Sequence, residues 1–209
     1  MPSRRSFALL APLCALSLYA QTTPSTSGTL NQHDREYAMS QLHATRKLFL
    51  DAVAGLTPEQ WNFKAAPDRW SIAECAEHIA LSEDFISGMV LNQLLKSPAN
   101  PEKRAEVKVT DEQIATLMTD RSAKFKAPEP IAPKRKWENP ADAVAEFKRS
   151  RDEHIAYIET TQDDLRNHFL RHPAMGMLDA YQWILLMSGH TERHTLQILE
   201  VKADPKFPK

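Results

Sequence analysis

The stretch LDAYQWILLMSGHTERHTLQILEV, residues 178–201, predicts the last helix of the chain and a core-facing stripe along it. Asp179 is followed three residues later by Gln182, the pattern of a capping box that begins a helix. Beyond it, six side chains recur at steps of three and four residues, which places them on one helical face. They are Trp183, Met187, His190, His194, Ile198 and Val201.

Three more long amphipathic helices precede this one. Residues 34–54 carry an apolar stripe, Ser71 and Glu74 form a second capping box that opens a helix to about residue 95, and Asn139-Pro140 begins a helix to about residue 161. Residues 97–139 hold five of the fourteen prolines and one shorter predicted helix, 111–123. The sequence therefore predicts an all-α fold, a four-helix bundle with a long crossover between its second and third helices.

Composition limits the classes of protein and partner. A chain of 209 residues with 42% hydrophobic residues fits one compact domain, which we place at 34–203. The net charge is −1, and no stripe of lysine or arginine alternates with aromatic residues, so a nucleic-acid or anionic-membrane partner is not expected.

Residues 1–20 have the form of a signal peptide: Arg4 and Arg5, an apolar run too short to span a membrane, and a cleavage site after Ala20. The run SRRSF resembles a twin-arginine signal, with an ordinary secretory signal as the alternative. We expect an exported protein, periplasmic or extracellular, with no membrane span in its mature form and a polar tether at 21–33. Cys75 would be its one cysteine, so no internal disulfide is expected.

Two histidines on the last helix suggest a metal site. Imidazoles at i and i+4 lie above one another and can reach one ion, although His190 and His194 alone are weak evidence. His78 adds a third imidazole on the core-facing side of another helix. A zincin protease is excluded, because Thr191 stands where that motif needs glutamate and Glu192 is about 200° around the helix from His190.

Two blocks of sequence resemble the DinB-like family: LTPEQWNFKAAPDRWSIAECAEHIALSE, residues 56–83, and HPAMGMLDAYQWILLMSGHTERHTLQI, residues 172–198. The resemblance extends loosely over residues 34–201. It implies an up-up-down-down type of bundle and assigns His78, His190 and His194 as metal ligands. It also implies a metal-dependent hydrolase or, as in some relatives, a thiol-dependent transferase or isomerase, often as a homodimer.

Other residues near this site could have either a functional or a structural role. Arg151, on the inward stripe of the third long helix, could hold an anionic substrate or pair with an acidic residue across the bundle, and Glu83 could line the cavity or its rim; both are substrate-binding candidates. Glu74 is better explained as a cap than as a base, and Cys75 as a core residue than as a fourth ligand. We expect His154 at the bundle edge. The other histidines are expected on the surface or in loops: His33, His43, His168 and His172.

Three neutral imidazoles would leave a coordination position open, as in catalytic sites. A bound water there can reach a pKa of about 7, which favours hydrolysis of a small substrate. The ion would be a divalent transition metal, zinc first, with nickel or iron as alternatives. Thiol chemistry is less expected outside the cytoplasm. Two alternatives without catalysis stay open: a metal-binding protein of the cell envelope, and a bundle that binds no metal and serves as an interaction module.

Overall fold

A computed structural model describes residues 28–122 and 125–209. The predicted signal peptide, and the tether up to residue 27, lie outside these ranges. The elements are α1 Gln32–Val53, α2 Pro58–Asn62, α3 Ile72–Met89, a π-helical turn Val90–Leu94, a 3-10 turn Pro101–Glu106, α4 Asp111–Thr119, a 3-10 turn Glu129–Ile131, α5 Pro140–Thr160, β1 Phe169–His172, β2 Gly176–Asp179 and α6 Ala180–Lys202.

The four long helices α1, α3, α5 and α6 form the predicted four-helix bundle. Contacts run α1 to α6, α6 to α3, α3 to α5 and α5 back to α1, while α4 packs on the outside of α6. The crossover between α3 and α5 is confirmed, and it contains α4.

Two apolar clusters fill the bundle at opposite ends and reveal the direction of each helix. One cluster includes Leu42, Ile86, Ile158 and Ile184, and the other includes Phe49, Ile79, Phe147 and Ile198, in each case one residue from each long helix. Helices α1 and α6 run from the first cluster to the second, whereas α3 and α5 run from the second to the first. The chain order is therefore up-down-down-up, not the up-up-down-down order that the resemblance implied. A long crossover is needed because α3 and α5 are parallel neighbours.

Side-chain caps define the starts of the long helices. Ser71 with Glu74, and Asp179 with Gln182, form the two predicted capping boxes. The first helix starts at Gln32, two residues before the predicted position, because the side chain of Asn31 accepts a hydrogen bond from the Asp34 amide.

A short antiparallel hairpin precedes α6, in a part of the chain for which no strand was predicted. β1 pairs with β2 in the register Phe169 to Asp179 and His172 to Gly176. Gly176 has a φ of 78°, a conformation that glycine adopts without steric cost. The strands were missed because four-residue segments show too little alternation to be recognised in sequence. The hairpin ends at Asp179, the cap of α6.

Within residues 28–122 and 125–209, no helix has the combination of length and apolar character that a membrane span requires.

Candidate metal centre

His78, His190 and His194 converge at one point of the bundle. One ring nitrogen from each lies within 4.8 Å of the other two, and the Nε2 atoms of His78 and His190 are 3.2 Å apart. The ring centroids are separated by 4.4 to 4.8 Å. In the described part of the chain, this converging group consists of three imidazoles, contributed by two helices.

The antiparallel arrangement of α3 and α6 brings the three rings to the same depth. The capping box at Ser71 fixes the start of α3, and His78 lies about two turns beyond it. His190 lies at the middle of α6 and His194 one turn later, and α6 runs the opposite way. The early turns of α3 therefore face the late turns of α6.

Hydrogen bonds fix the tautomers of two of these rings. Nδ1 of His78 lies 2.7 Å from the carbonyl oxygen of Ile131, and Nδ1 of His194 lies 3.0 Å from the amide oxygen of Gln197. Both oxygens can only accept, so each Nδ1 carries the proton and donates it. In the neutral rings, Nε2 then presents a lone pair, the form in which histidine binds a metal ion.

Burial keeps the three imidazoles neutral. It lowers the pKa of His78 despite the opposing effect of the Ile131 carbonyl, and it lowers the pKa of His190 well below the usual value, helped by the neighbouring rings. Burial and His78 together lower the pKa of His194 to about 3. A proton is therefore disfavoured in the space that the nitrogens enclose.

The donor set fits a divalent transition metal. The 3.2 Å between the Nε2 atoms of His78 and His190 is close to the roughly 3.3 Å expected for two nitrogens bound tetrahedrally at about 2.0–2.1 Å from one ion. A cation between the nitrogens would also relieve the repulsion between lone pairs that face each other. His78 and His194 are 2% and 9% exposed, while His190 is half-buried, so one ligand borders solvent.

Trp70 forms one wall of the centre. Its ring centroid lies 4.9 Å from that of His78 and 5.8 Å from that of His194. Cys75 lies one turn before His78 but does not join the converging nitrogens; it is a buried core residue, and burial raises the pKa of its thiol. Glu74 completes the capping box and pairs with Lys64 at 2.9 Å, as expected of a cap.

Arg151 and Glu83 contact each other rather than an open cavity. Arg151 Nη2 lies 2.5 Å from Glu83 Oε1, and the two side chains are 0% and 1% exposed. The pairing alternative for Arg151 is the one observed. The two side chains also hydrogen-bond to Leu42, Thr45, His154 and Thr191, and their role in substrate binding stays a prediction.

The remaining histidines divide between surface and interior. His33 and His43 are exposed, and His172 is half-buried at the hairpin. His154 is buried rather than at the bundle edge, whereas His168 lies in the loop before β1, one of its two expected positions, and is buried there. His154 lies inside because Nδ1 is 3.1 Å from Oε2 of Glu83, a partner on another helix that sequence spacing does not reveal.

Sequence reasoning missed the residues that hold the ligands in place. Gln197 could have been recognised, since it follows His194 by three residues on the same helix and can reach its ring. The contact of Ile131 with His78 could not, because the two residues are 53 positions apart in the chain.

Comparison with known proteins agrees with this architecture. A Bacillus subtilis protein of uncharacterised function, YuaE, is 27% identical over 164 residues, covering 78% of this chain and 96% of YuaE. The solved structure of YfiT from Bacillus subtilis superimposes with a TM-score of 0.55 at 14% identity, covering 83% of this chain and 89% of YfiT. That protein is described as a probable metal-dependent hydrolase with an unusual four-helix bundle topology. The sequence model of the DinB superfamily matches residues 41–198, and the chain therefore belongs to the DinB superfamily.

Proposed function

We propose that this protein binds one divalent transition metal through His78, His190 and His194 and hydrolyses a small substrate there. The observation that carries the proposal is the convergence of three neutral imidazoles whose nitrogens lie within 4.8 Å of one another. When bound, such an ion supplies Lewis acidity, which polarises a carbonyl or phosphoryl group or acidifies a water molecule.

The number of protein ligands favours a reactive site over a structural one. Structural zinc sites are closed by four protein ligands, whereas catalytic sites use three and leave a position for water or substrate. The partial exposure of His190 supports an open position that solvent can reach. The Trp70 ring beside His78 and His194 limits the space from one side, which suits a small substrate.

Zinc is the first expectation for the metal. Three imidazoles suit zinc, nickel and iron, and zinc accepts the four-coordinate geometry that three ligands and one open position provide. The spacing between His78 and His190 is compatible with that geometry.

Hydrolysis is preferred to thiol transfer because of the predicted export. Low-molecular-weight thiols are cytoplasmic reductants, so an exported enzyme would rarely meet them. YfiT, which shares the fold, is described as a probable metal-dependent hydrolase. A metal-binding envelope protein without activity is the alternative that remains if no substrate is turned over.

Metal content tests the proposal most directly. Protein purified without a histidine tag should carry about one equivalent of metal, and His190→Ala should lose it, because two imidazoles bind far more weakly than three. His43→Ala is the matched control, since His43 is an exposed histidine on α1 that does not belong to the converging group. Less than about a tenth of an equivalent in the wild-type protein after incubation with zinc would reject the site.

Activity is tested on ester, amide and phosphoester substrates. Turnover that requires added metal and is lost in His78→Ala, but kept in His43→Ala, would support hydrolysis. Full metal loading without turnover of any class would favour the non-catalytic alternative.

A further inference from the structure

Glu77 is a buried carboxylate next to the ligand His78. Its side chain is 5% exposed. The two oxygens accept hydrogen bonds from three consecutive backbone amides of the crossover: Oε1 from Lys134 and Lys136, at 2.8 and 3.0 Å, and Oε2 from Arg135 at 3.0 Å.

These three bonds offset the cost of burying the carboxylate. An ionised carboxylate is costly to bury unless its oxygens are hydrogen-bonded, and bonds to a charged acceptor are the stronger kind. Arg135 has a φ of 60°, the left-handed conformation that turns successive amides toward one anion. A non-glycine residue is uncommon in this conformation, so the contact with Glu77 holds the backbone in a strained turn.

The segment that Glu77 holds is the one that orients His78. The carbonyl that accepts the Nδ1 proton of His78 belongs to Ile131, three residues before Lys134. Two adjacent side chains of α3 therefore form hydrogen bonds with one short stretch of the crossover, residues 131–136. Glu77 binds its amides, and His78 binds its carbonyl.

We propose that Glu77 is a positioning residue for the metal centre: by anchoring residues 134–136 it keeps the Ile131 carbonyl on Nδ1 of His78 and so keeps Nε2 of His78 free to bind metal. This inference rests on the proposed metal site. It assigns Glu77 no contact with metal or substrate, and its effect passes through the crossover.

Metal affinity is the first measurement. Partners that orient metal-bound histidines typically contribute 10- to 100-fold to affinity, so Glu77→Ala should weaken zinc binding about tenfold or more in competition with a chromophoric chelator. The zinc affinity of Glu77→Gln should lie between those of wild type and Glu77→Ala. The amide oxygen of the glutamine can still accept a hydrogen bond, whereas its NH2 group faces a backbone donor. Asp84→Ala is the matched control: Asp84 is an exposed carboxylate on the same helix and should leave affinity unchanged.

Chemical rescue separates this role from a general loss of stability. Formate is a small carboxylate that can occupy the space left in Glu77→Ala and accept from the same amides. Added formate should restore most of the lost zinc affinity in Glu77→Ala while giving no gain in the wild-type protein or in Asp84→Ala. Affinity that drops in Glu77→Ala and stays low in formate would overturn the proposal.

The metal-free protein provides a test of the positioning role that does not depend on metal binding. In wild type, 15N shifts of the His78 ring should report the Nδ1–H tautomer, and the amides of residues 134–136 should be protected from hydrogen exchange. In Glu77→Gln, which keeps the side chain's shape, protection should fall and the ring should populate both tautomers. An unchanged His78 tautomer in Glu77→Gln and Glu77→Ala would overturn the positioning role, whereas a wild-type protein that binds no metal would overturn the proposed function alone.

Discussion

The guanidinium of Arg151 and the carboxylate of Glu83 form a two-point ion pair inside the bundle, with Nε to Oε2 at 2.9 Å and Nη2 to Oε1 at 2.5 Å. The same guanidinium donates to the Leu42 carbonyl at 2.8 Å and to the Thr45 hydroxyl at 2.7 Å on α1, and to the Thr191 hydroxyl at 2.9 Å on α6. One side chain of α5 thus joins the other three long helices.

Removing one partner of this pair should cost more stability than removing both. Arg151→Met leaves the Glu83 charge buried without its main partner, a change that typically costs about 3–5 kcal/mol. Adding Glu83→Leu removes that charge, so the double variant should recover part of the loss in urea unfolding. Arg149→Met is the control, since Arg149 is exposed on the same helix and its surface pairs contribute about 0–1 kcal/mol. A double variant at least as unstable as Arg151→Met would contradict this account.

The same pair predicts how stability changes with pH. Burial alone would raise the pKa of Glu83, but Arg151 and His154 together lower it below its usual range. A carboxyl with a lowered folded pKa adds stability above the unfolded pKa of about 4.3, and that stability is lost as pH falls toward the folded pKa. In Glu83→Gln this contribution is absent at every pH.

The stability difference between wild type and Glu83→Gln should therefore be full at pH 6, shrink below about pH 4.3 and continue to shrink at lower pH. Urea unfolding of the metal-free proteins at several pH values measures it. A difference that stays constant from pH 6 to pH 3 would show that Glu83 is not an ionised partner of Arg151.

Local signals in the sequence determined the helices well. The capping boxes at Ser71 and Asp179 begin α3 and α6 where predicted, because a cap is satisfied by residues three positions apart. Helix directions were not accessible in this way. The up-down-down-up order depends on which ends of α3 and α6 lie side by side, and no local pattern encodes that.

The proposed metal ligands could be predicted from local signals, whereas the residues that orient them could not. His190 and His194 were recognisable from their spacing along one helix, and His78 from its place on a core-facing stripe. The contacts of Glu77 and Ile131 join residues more than 50 positions apart through an irregular crossover. The sequence showed a proline-rich segment there but not which of its amides and carbonyls would face α3.

Gln197 should tune the metal site from the second half of α6. Its amide oxygen holds Nδ1 of His194 at 3.0 Å. Gln197→Leu removes this acceptor, so zinc affinity should fall about tenfold while the fold stays intact by circular dichroism. Glu192→Gln on the same helix should leave affinity unchanged. Equal losses in both variants would point to a general disturbance of α6.

Export is open to a direct test. If residues 1–20 are a signal peptide, protein recovered from the periplasm or medium should begin at Gln21, as measured by N-terminal sequencing. Replacing both Arg4 and Arg5 with lysine should abolish export through the twin-arginine route and leave an ordinary secretory route working. Recovery of uncleaved protein only in the cytoplasm would refute export and remove the objection to thiol chemistry.

Trp70 should report metal binding through its fluorescence. Its ring lies 4.9 Å from that of His78 and 5.8 Å from that of His194, so an ion held by these residues would be close to the indole. Copper(II) or nickel(II) should quench the emission and saturate at one equivalent, because open-shell ions quench nearby fluorophores efficiently. Trp70→Phe should abolish this saturable quenching, whereas Trp183→Phe should keep it, since Trp183 packs on His172 at the hairpin. Saturable quenching that is as strong in Trp70→Phe as in wild type would contradict binding of the ion beside Trp70.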